Sequence, residues 1–348
     1  MAQNAANVPP PPDSRRPDAA RNPRKRQPPN HTYGALDLGT NNCRLLVARP
    51  AEDGFVVVDA FSRVVRLGEG LAMSGKISDA AMDRALAALS VCADKLRRRR
   101  VSLARSVATE ACRRAANGRE FVDRVQRETG IALDIISTEE EARLAMLGCH
   151  RLLEPGDGPA LIFDIGGGST ELVVIDTDGT TPKIKSWWSA PWGVVSLTES
   201  EGRDFADPDE RVAAYLRMRE RARHSFRRFA EQLPATKENI RLMGTSGTVT
   251  TLASVHLALP SYDRRAVDGL MVSAEAMRDI SQMLSRMSAA ERAELPCIGG
   301  ERADLVVAGC AILEAIMDIW PAKTLGVADR GIREGILRSL MARDGHPT

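Results

Sequence analysis

The chain has 348 residues and a formal net charge of +2, so it has room for two cored domains and carries no global basic excess of the kind that marks nucleic-acid binding. With 43% hydrophobic and 4% aromatic residues it reads as a globular protein, and no apolar run approaches the length of a membrane-spanning helix. The six cysteines are scattered without a Cys-x-x-Cys pair and the five histidines show no ligand spacing; this argues against a disulfide framework and a zinc site and fits a reducing cytoplasm.

Residues 1–31 stand apart. Pro9 to Pro12, Arg15, Arg16, Arg21 and Arg24-Lys25-Arg26 lie in a stretch with no apolar pattern. No hydrophobic segment follows the charges, so this is no secretory signal. A disordered basic tail is expected; contact with a polyanion, RNA or acidic lipid is the sharper alternative. From Tyr33 the pattern alternates. Strands are predicted over Tyr33–Leu38, Arg44–Ala48 and Phe55–Arg66, then an amphipathic helix over Ser78–Leu96 with Met82, Leu86, Leu89, Ala93 and Leu96 on one face. A strand (Ser102–Ala108), a helix (Arg119–Thr129), a strand (Leu133–Ile136) and a helix from Glu139 lead to a break at Pro155–Pro159.

After the break the order restarts, with strands Ala160–Asp164, Glu171–Ile175 and Ile184–Trp188. Asp207-Pro208 supplies a cap and first residue for a long basic helix to Leu233. Strand Ile240–Met243 feeds a Gly-rich turn and a helix from Val249. Helices over Ser273–Met287, Ala303–Ile319 and Gly331–Met341, with strand Thr324–Val327, complete the chain. The order β-β-β-α-β-α thus occurs twice, which predicts two related α/β domains and a cleft between them. The boundaries are 32–138 and 139–330, with the helix over 331–345 packing back on the first domain.

Two segments carry the clearest chemical signal. Leu36-Asp37-Leu38-Gly39-Thr40-Asn41-Asn42 and Phe163-Asp164-Ile165-Gly166-Gly167-Gly168-Ser169-Thr170-Glu171 are each an apolar run, an Asp, a glycine turn and a second apolar run. Such a β-turn-β unit leaves backbone N–H groups free to cradle phosphate, and the Asp at its mouth can hold a hydrated Mg²⁺. An isolated Asp of this kind more often bonds its own turn; the duplication favours two jaws closing on a phosphate chain and its metal. Gly166, Gly167 and Gly168 permit close backbone approach, and Ser169 and Thr170 add hydroxyls. Glu171 is unexpected at the start of an apolar strand and reads either as solvent-facing or as orienting water or metal. Gly244-Thr245-Ser246-Gly247 precedes a helix whose N-terminus favours an anion, with a helix cap as the plain reading of Ser246. Arg113 offers a guanidinium fork for phosphate. Glu141 stands in Ser137-Thr138-Glu139-Glu140-Glu141-Ala142-Arg143, where Thr138-x-x-Glu141 also fits a capping box. Arg97–Arg100 reads as a solvated run, and Arg302, Arg330 and Arg333 as either polyanion contacts or ion-pair scaffolding.

With the Ala108–Asn117 and Val327–Gly335 segments, these make six in order, and together they resemble the exopolyphosphatase / guanosine pentaphosphate phosphohydrolase (Ppx/GppA) family. The most specific elements are Asp-Ile-Gly-Gly-Gly-Ser-Thr-Glu-Leu, Glu-Glu-Ala-Arg and Gly-Thr-Ser-Gly-Thr. The resemblance implies two ribonuclease H-like domains of the actin, sugar kinase and Hsp70 superfamily. It implies Glu141 as general base, with Asp164 and Glu171 catalytic, and Mg²⁺ near Asp37 and Asp164, a monovalent cation being a second candidate ion. Gly39, Thr40, Asn41, Arg113, Gly166–Thr170 and Gly244–Gly247 would hold substrate. Asn42 departs from the family's usual Ser, and the chain stops soon after the sixth segment, where long members continue into a helical region. The implied substrate is inorganic polyphosphate, cleaved at its terminal phosphoanhydride, or guanosine pentaphosphate, cleaved at its 5′ end. No membrane and no specific nucleic acid are expected as partners, and a homodimer follows from the resemblance alone. A phosphotransferase of the same architecture and a non-catalytic nucleotide-binding protein are the remaining alternatives.

Overall fold

The computed structural model describes residues 31–52, 54–153, 158–177, 182–201, 205–233 and 240–346. The basic tail and the Pro155–Asp157 portion of the predicted break lie outside the described residues.

Eleven strands form two sheets among the described residues: β1 (Tyr33–Leu38), β2 (Asn42–Ala51), β3 (Gly54–Val64), β4 (Leu103–Ala108), β5 (Leu133–Ile135), β6 (Ala160–Ile165), β7 (Thr170–Asp176), β8 (Lys183–Ala190), β9 (Arg241–Thr245), β10 (Met271–Ser273) and β11 (Thr324–Ala328). The first sheet runs β3-β2-β1-β4-β5. The second, read from its far edge, runs β8-β7-β6-β9-β11 with β10 added outside. In each, three antiparallel strands are followed by two parallel ones that return through helical crossovers. That is the ribonuclease H-like order, present twice, and it is the two-domain α/β fold expected from the chain order. Strand β10 went unpredicted because three residues, paired antiparallel with β11, are too few to show alternation.

Two long helices begin at side-chain caps. Ser78 accepts a hydrogen bond from Ala81 N–H (3.3 Å) and Asp207 from Asp209 N–H (3.2 Å), with Pro208 at the first helical position, as those residue types favour. In the second half the helix Val306–Ile319 is buried on nearly every side, packed against Pro208–Gln232. Two short helices, Glu110–Arg114 and Val194–Glu201, escape prediction because neither is long enough to establish a period.

The helix Thr138–Cys149 joins the halves. Its Leu144 and Ala145 pack with Ala35, Leu46 and Val107 of the first sheet, while Ala142, Met146 and Cys149 pack with Ile162, Val173 and Ile175 of the second. The C-terminal helix Ile332–Arg343 lies beside it and against the first sheet, through Ile336, Leu337 and Met341. These two helices cross backbone to backbone: a Cβ added at Gly335 would sit 2.0 Å from the Leu144 carbonyl oxygen, and one at Gly148 2.1 Å from that of Gly331. No rotamer relieves a clash with backbone. Gly335→Ala is therefore expected to destabilise the fold by about 1–3 kcal/mol, read as a lowered denaturant midpoint at unchanged slope. An unchanged midpoint would show that the crossing tolerates an added methyl.

Among the described residues no helix is long and apolar enough to cross a membrane. All six cysteines are free thiols.

Candidate active site

The two predicted turns are built alike. Gly39 N–H donates to the Asn42 carbonyl at 2.9 Å, and Gly166 N–H donates to the Ser169 carbonyl at 2.9 Å. The hairpin registers also match: Asp37 stands opposite Arg44 and Asp164 opposite Glu171. The duplication therefore places an acid in both halves and, directly across the hairpin, a cation in one and a second acid in the other.

The turns meet face to face. An added Cβ at Gly167 would lie 2.9 Å from Thr40 Cβ, and one at Gly168 would lie 2.9 Å from Thr40 Oγ1, so only glycine allows this approach. Their carbonyls point outward. Asn41 O accepts from Val65 and Arg66 N–H (2.8 and 3.0 Å), Gly166 O from Val194 N–H (2.9 Å) and Gly167 O from Val195 N–H (2.8 Å). The N–H groups of Thr40, Asn41, Gly167 and Gly168 meet no acceptor among the described residues, the state of a nest prepared for an anion. At the cleft mouth the halves are latched by Arg66–Asp304 (3.1 Å) and by Gly70 N–H donating to Glu199 Oε1 (2.9 Å).

Between the turns lies a cavity of about 130 Å³. Of the residues predicted for the site, it is lined by Asp37, Gly39, Thr40, Asn41, Glu141, Asp164, the Gly166–Ser169 turn, Glu171, Ser246 and Gly247. Four others lie elsewhere. Arg113 stands behind Glu141 and is no open clamp: it donates to Glu141 (3.0 Å), Glu110 (2.6 Å) and the Ile136 carbonyl (2.9 Å). Thr170 donates its hydroxyl to the Trp192 carbonyl at 2.7 Å. Gly244 gives passage to Phe163, whose ring atoms come within 2.8 Å of the position its Cβ would take. Thr245 is buried and supports Asp164 by a side-chain hydrogen bond.

Glu141 is freed by a shift of one residue. The N-cap of its helix is Ser137, which accepts from Glu140 N–H (3.2 Å), and Glu140 bonds Arg105 and Arg143 rather than closing a box. The box predicted from Thr138 does not form. Glu141 reaches the cavity only 5% exposed. Burial, then the charge of Glu171, hold its carboxyl well above the usual carboxylate range against the pull of Arg113. Asp37 is raised chiefly by burial, opposed by Arg44 and Arg333. Asp164 is pushed up to about 6 by burial, with Arg44 pulling down and Asp37 pushing further.

Glu171, 3% exposed, accepts hydrogen bonds at Oε1 from Ser169 (2.7 Å) and Ser189 (2.8 Å). Burial, then the Asp164 charge, push it from 4.5 to about 7. Folded protein thus holds this proton more tightly than unfolded chain, so the stability tied to it is present below about pH 4.5 and declines as pH rises towards 7. Glu171→Gln removes that penalty. The variant's stability advantage over the parent should grow between pH 5 and pH 8 by on the order of 1–3 kcal/mol, seen as diverging urea midpoints. Parallel curves would show that Glu171 titrates normally.

Ser246 holds φ at 124°, a torsion that strains a non-glycine residue, and its buried hydroxyl has no partner. It makes no side-chain cap for the following helix, Gly247–His256, so the cap reading fails. Strain of this kind persists where surroundings impose it.

The cavity also contains residues given no site role from the sequence: Asn42, Arg44, Thr109, Glu110 and Thr248. Arg302, read from the sequence as either a polyanion contact or ion-pair scaffolding, lines it too and donates to Thr251 Oγ1 (2.9 Å). Arg44 and Arg302 flank Gly247, their guanidinium atoms 3.6 and 3.9 Å from where its Cβ would lie. Arg44 has no hydrogen bond or ion pair among the described residues, and burial lowers its pKa, with Arg333 adding repulsion. The signal for it was the equal spacing of Asp37 to Arg44 and Asp164 to Glu171. Arg330 pairs with Asp268 (2.8 Å), and Arg97 and Arg99 pair with Asp94 and Asp59 at the surface.

No group of three or more His, Cys, Asp or Glu forms a metal cluster among the described residues. Asp37 is nevertheless close enough to Asp164 to push it up, and Asp37 Oδ1 is buried without a hydrogen-bond partner. Two carboxylates with an unengaged oxygen suit a hard cation that keeps most of its waters, as Mg²⁺ does.

Two ribonuclease H-like units closing on an acid- and glycine-lined anion cavity define an enzyme class that acts on phosphate esters and anhydrides. The chain belongs to the Ppx/GppA phosphatase family, whose model matches residues 46–344, and it is a phosphohydrolase. Among solved structures it is similar to an exopolyphosphatase-like protein (30% identity, TM-score 0.79, covering 90% of this chain and 98% of that one). It is likewise similar to the Aquifex aeolicus family member (27%, 0.73, 92% and 100%) and to an exopolyphosphatase from Cytophaga hutchinsonii (25%, 0.77, 91% and 99%).

Proposed function

We propose that this protein is a Mg²⁺-dependent exopolyphosphatase that hydrolyses the terminal phosphoanhydride of inorganic polyphosphate and releases orthophosphate. The observation that carries this reading is the convergence of Glu141, Glu171, Asp37 and Asp164 with four unengaged backbone N–H groups on one small cavity. In it the terminal phosphoryl group sits between the two turns, its oxygens taking hydrogen bonds from Thr40, Asn41, Gly167 and Gly168 N–H and charge from Arg44 and Arg302. Glu141 receives the proton of the attacking water. A carboxylate raised by burial is a stronger base once ionised, and Arg113 keeps it oriented and ionisable. Asp37 and Asp164 would hold Mg²⁺, which when bound would supply positive charge to the phosphate oxygens of the reacting anhydride.

We read polyphosphate as the substrate because the described residues lining the cavity offer phosphate contacts and no aromatic ring for a base. The free thiols support a cytoplasmic setting, and a homodimer, testable by light scattering, is part of the same reading. Orthophosphate release from polyphosphate and from guanosine pentaphosphate, compared as kcat/KM, tests the assignment. A kcat/KM at least about tenfold higher for polyphosphate is expected. The reverse ratio would move the substrate to the nucleotide, and turnover only with a small acceptor present would make the enzyme a phosphotransferase.

A further inference from the structure

A second concavity, of about 610 Å³, opens on the outer face of the second half. One wall is aromatic, made by Trp188 at the end of β8 and by Pro191 and Trp192 in the turn that follows. The opposite wall is one face of the helix Pro208–Gln232, presenting Arg217, Arg221, His224 and Arg228 at intervals of four, three and four, which align on a helix. Glu201 already engages Arg217 (2.6 Å) and Arg221 (3.1 Å). Arg228 and His224 have neither an ion pair nor a hydrogen bond among the described residues, and the buried indole N–H of Trp188 meets no acceptor.

A ligand that satisfies this groove needs a flat ring for the indoles and an anion for Arg228. A bare phosphate chain leaves the indoles unused, and an apolar peptide leaves the cation facing nothing. A nucleotide meets both demands, since every base has a stacking face and every nucleotide a phosphate. The volume lies within the range typical of small-ligand sites.

The groove is also wired to the cavity. The Trp192 carbonyl accepts the Thr170 hydroxyl at 2.7 Å, and Val194 N–H donates to Gly166 O at 2.9 Å. Gly193 between them is packed so closely on Gly167 that an added Cβ would lie 2.5 Å from its carbonyl carbon. A ring stacked on Trp192 therefore bears on the backbone that holds the glycine turn in place. We propose that this groove is a second binding site, for a nucleotide, whose occupancy is transmitted to the phosphate turn Gly166–Gly168.

The probe is AMP, titrated calorimetrically into the full chain, with adenosine and orthophosphate as the half-ligands. AMP is expected to bind at least about tenfold more tightly than either half-ligand. Trp192→Leu and Arg228→Glu should each weaken AMP by about tenfold or more, while Trp192→Phe, which keeps a stacking ring, stays within about threefold of the parent. Without AMP, kcat/KM for polyphosphate should stay within about threefold in all three variants, and bound AMP should shift the parent's KM but not that of Trp192→Leu. Absence of AMP binding, equal AMP affinity in Trp192→Leu and Arg228→Glu, or orthophosphate binding as tightly as AMP would overturn the proposal. Because Arg228 is exposed, Arg228→Glu tests the site even where an altered Trp192 impairs folding. The calorimetric outcomes do not depend on which substrate the cavity hydrolyses, so the site and the proposed activity fail separately.

Discussion

Glu141→Gln is expected to lower kcat for orthophosphate release by about 10²–10⁴-fold while KM moves by less than about threefold. The substitution preserves shape, and the Gln oxygen can still accept the hydrogen bond that Arg113 now donates to Glu141 at 3.0 Å. It removes the capacity to take a proton, together with the charge that pairs with Arg113. Since Glu141 lines the cavity and is held above the usual carboxylate range by burial and by Glu171, the parent should lose activity as pH falls and this carboxylate protonates. The variant's residual rate should lack that acid limb. Steady-state phosphate release across pH measures both effects. An unaltered rate would reassign the base, and Glu171, raised to about 7 and lining the same cavity, would be the first replacement to test.

The second large effect is expected at Asp37. Asp37→Asn should raise the Mg²⁺ concentration for half-maximal activity by about tenfold or more and lower kcat by about 10²-fold. Its Oδ1 is buried and unengaged, and raised chiefly by burial, so the charged form needs a cation beyond what Arg44 and Arg333 supply. Asn keeps an oxygen but loses the charge that offsets dehydration of the ion. Titrating Mg²⁺ at saturating polyphosphate reads the effect directly. An unchanged Mg²⁺ requirement would remove Asp37 from the metal site and leave it as a partner of Arg44 across the hairpin.

Much of this architecture was legible in residue order. The strands around both turns follow from period-two apolar runs, and the repeated Asp-x-Gly turn announced a duplication that the sheet orders now display. What the chain pattern could not supply was partnership across the fold. Arg113 looked like an open phosphate fork because two of its three partners, Glu141 and the Ile136 carbonyl, lie more than twenty residues away, and the third, Glu110, is three residues before it. Arg44 drew no notice within a strand, although its register opposite Asp37 could have been found by laying one turn over the other. The cap ambiguity at Glu141 turned on one residue, since Ser137 and Thr138 are both competent caps and only the helix start at Thr138 separates them. The short helix Val194–Glu201, which seats the glycine turn, was invisible for want of length.

The most direct test of the account is to hydrolyse polyphosphate of defined length in ¹⁸O-labelled water and weigh the products. The account predicts that each orthophosphate released carries one ¹⁸O and that the remaining chain is one unit shorter and unlabelled, because water attacks the terminal phosphorus held between the two turns. Unlabelled orthophosphate, label in the remaining chain, or fragments cut from within it would contradict the account.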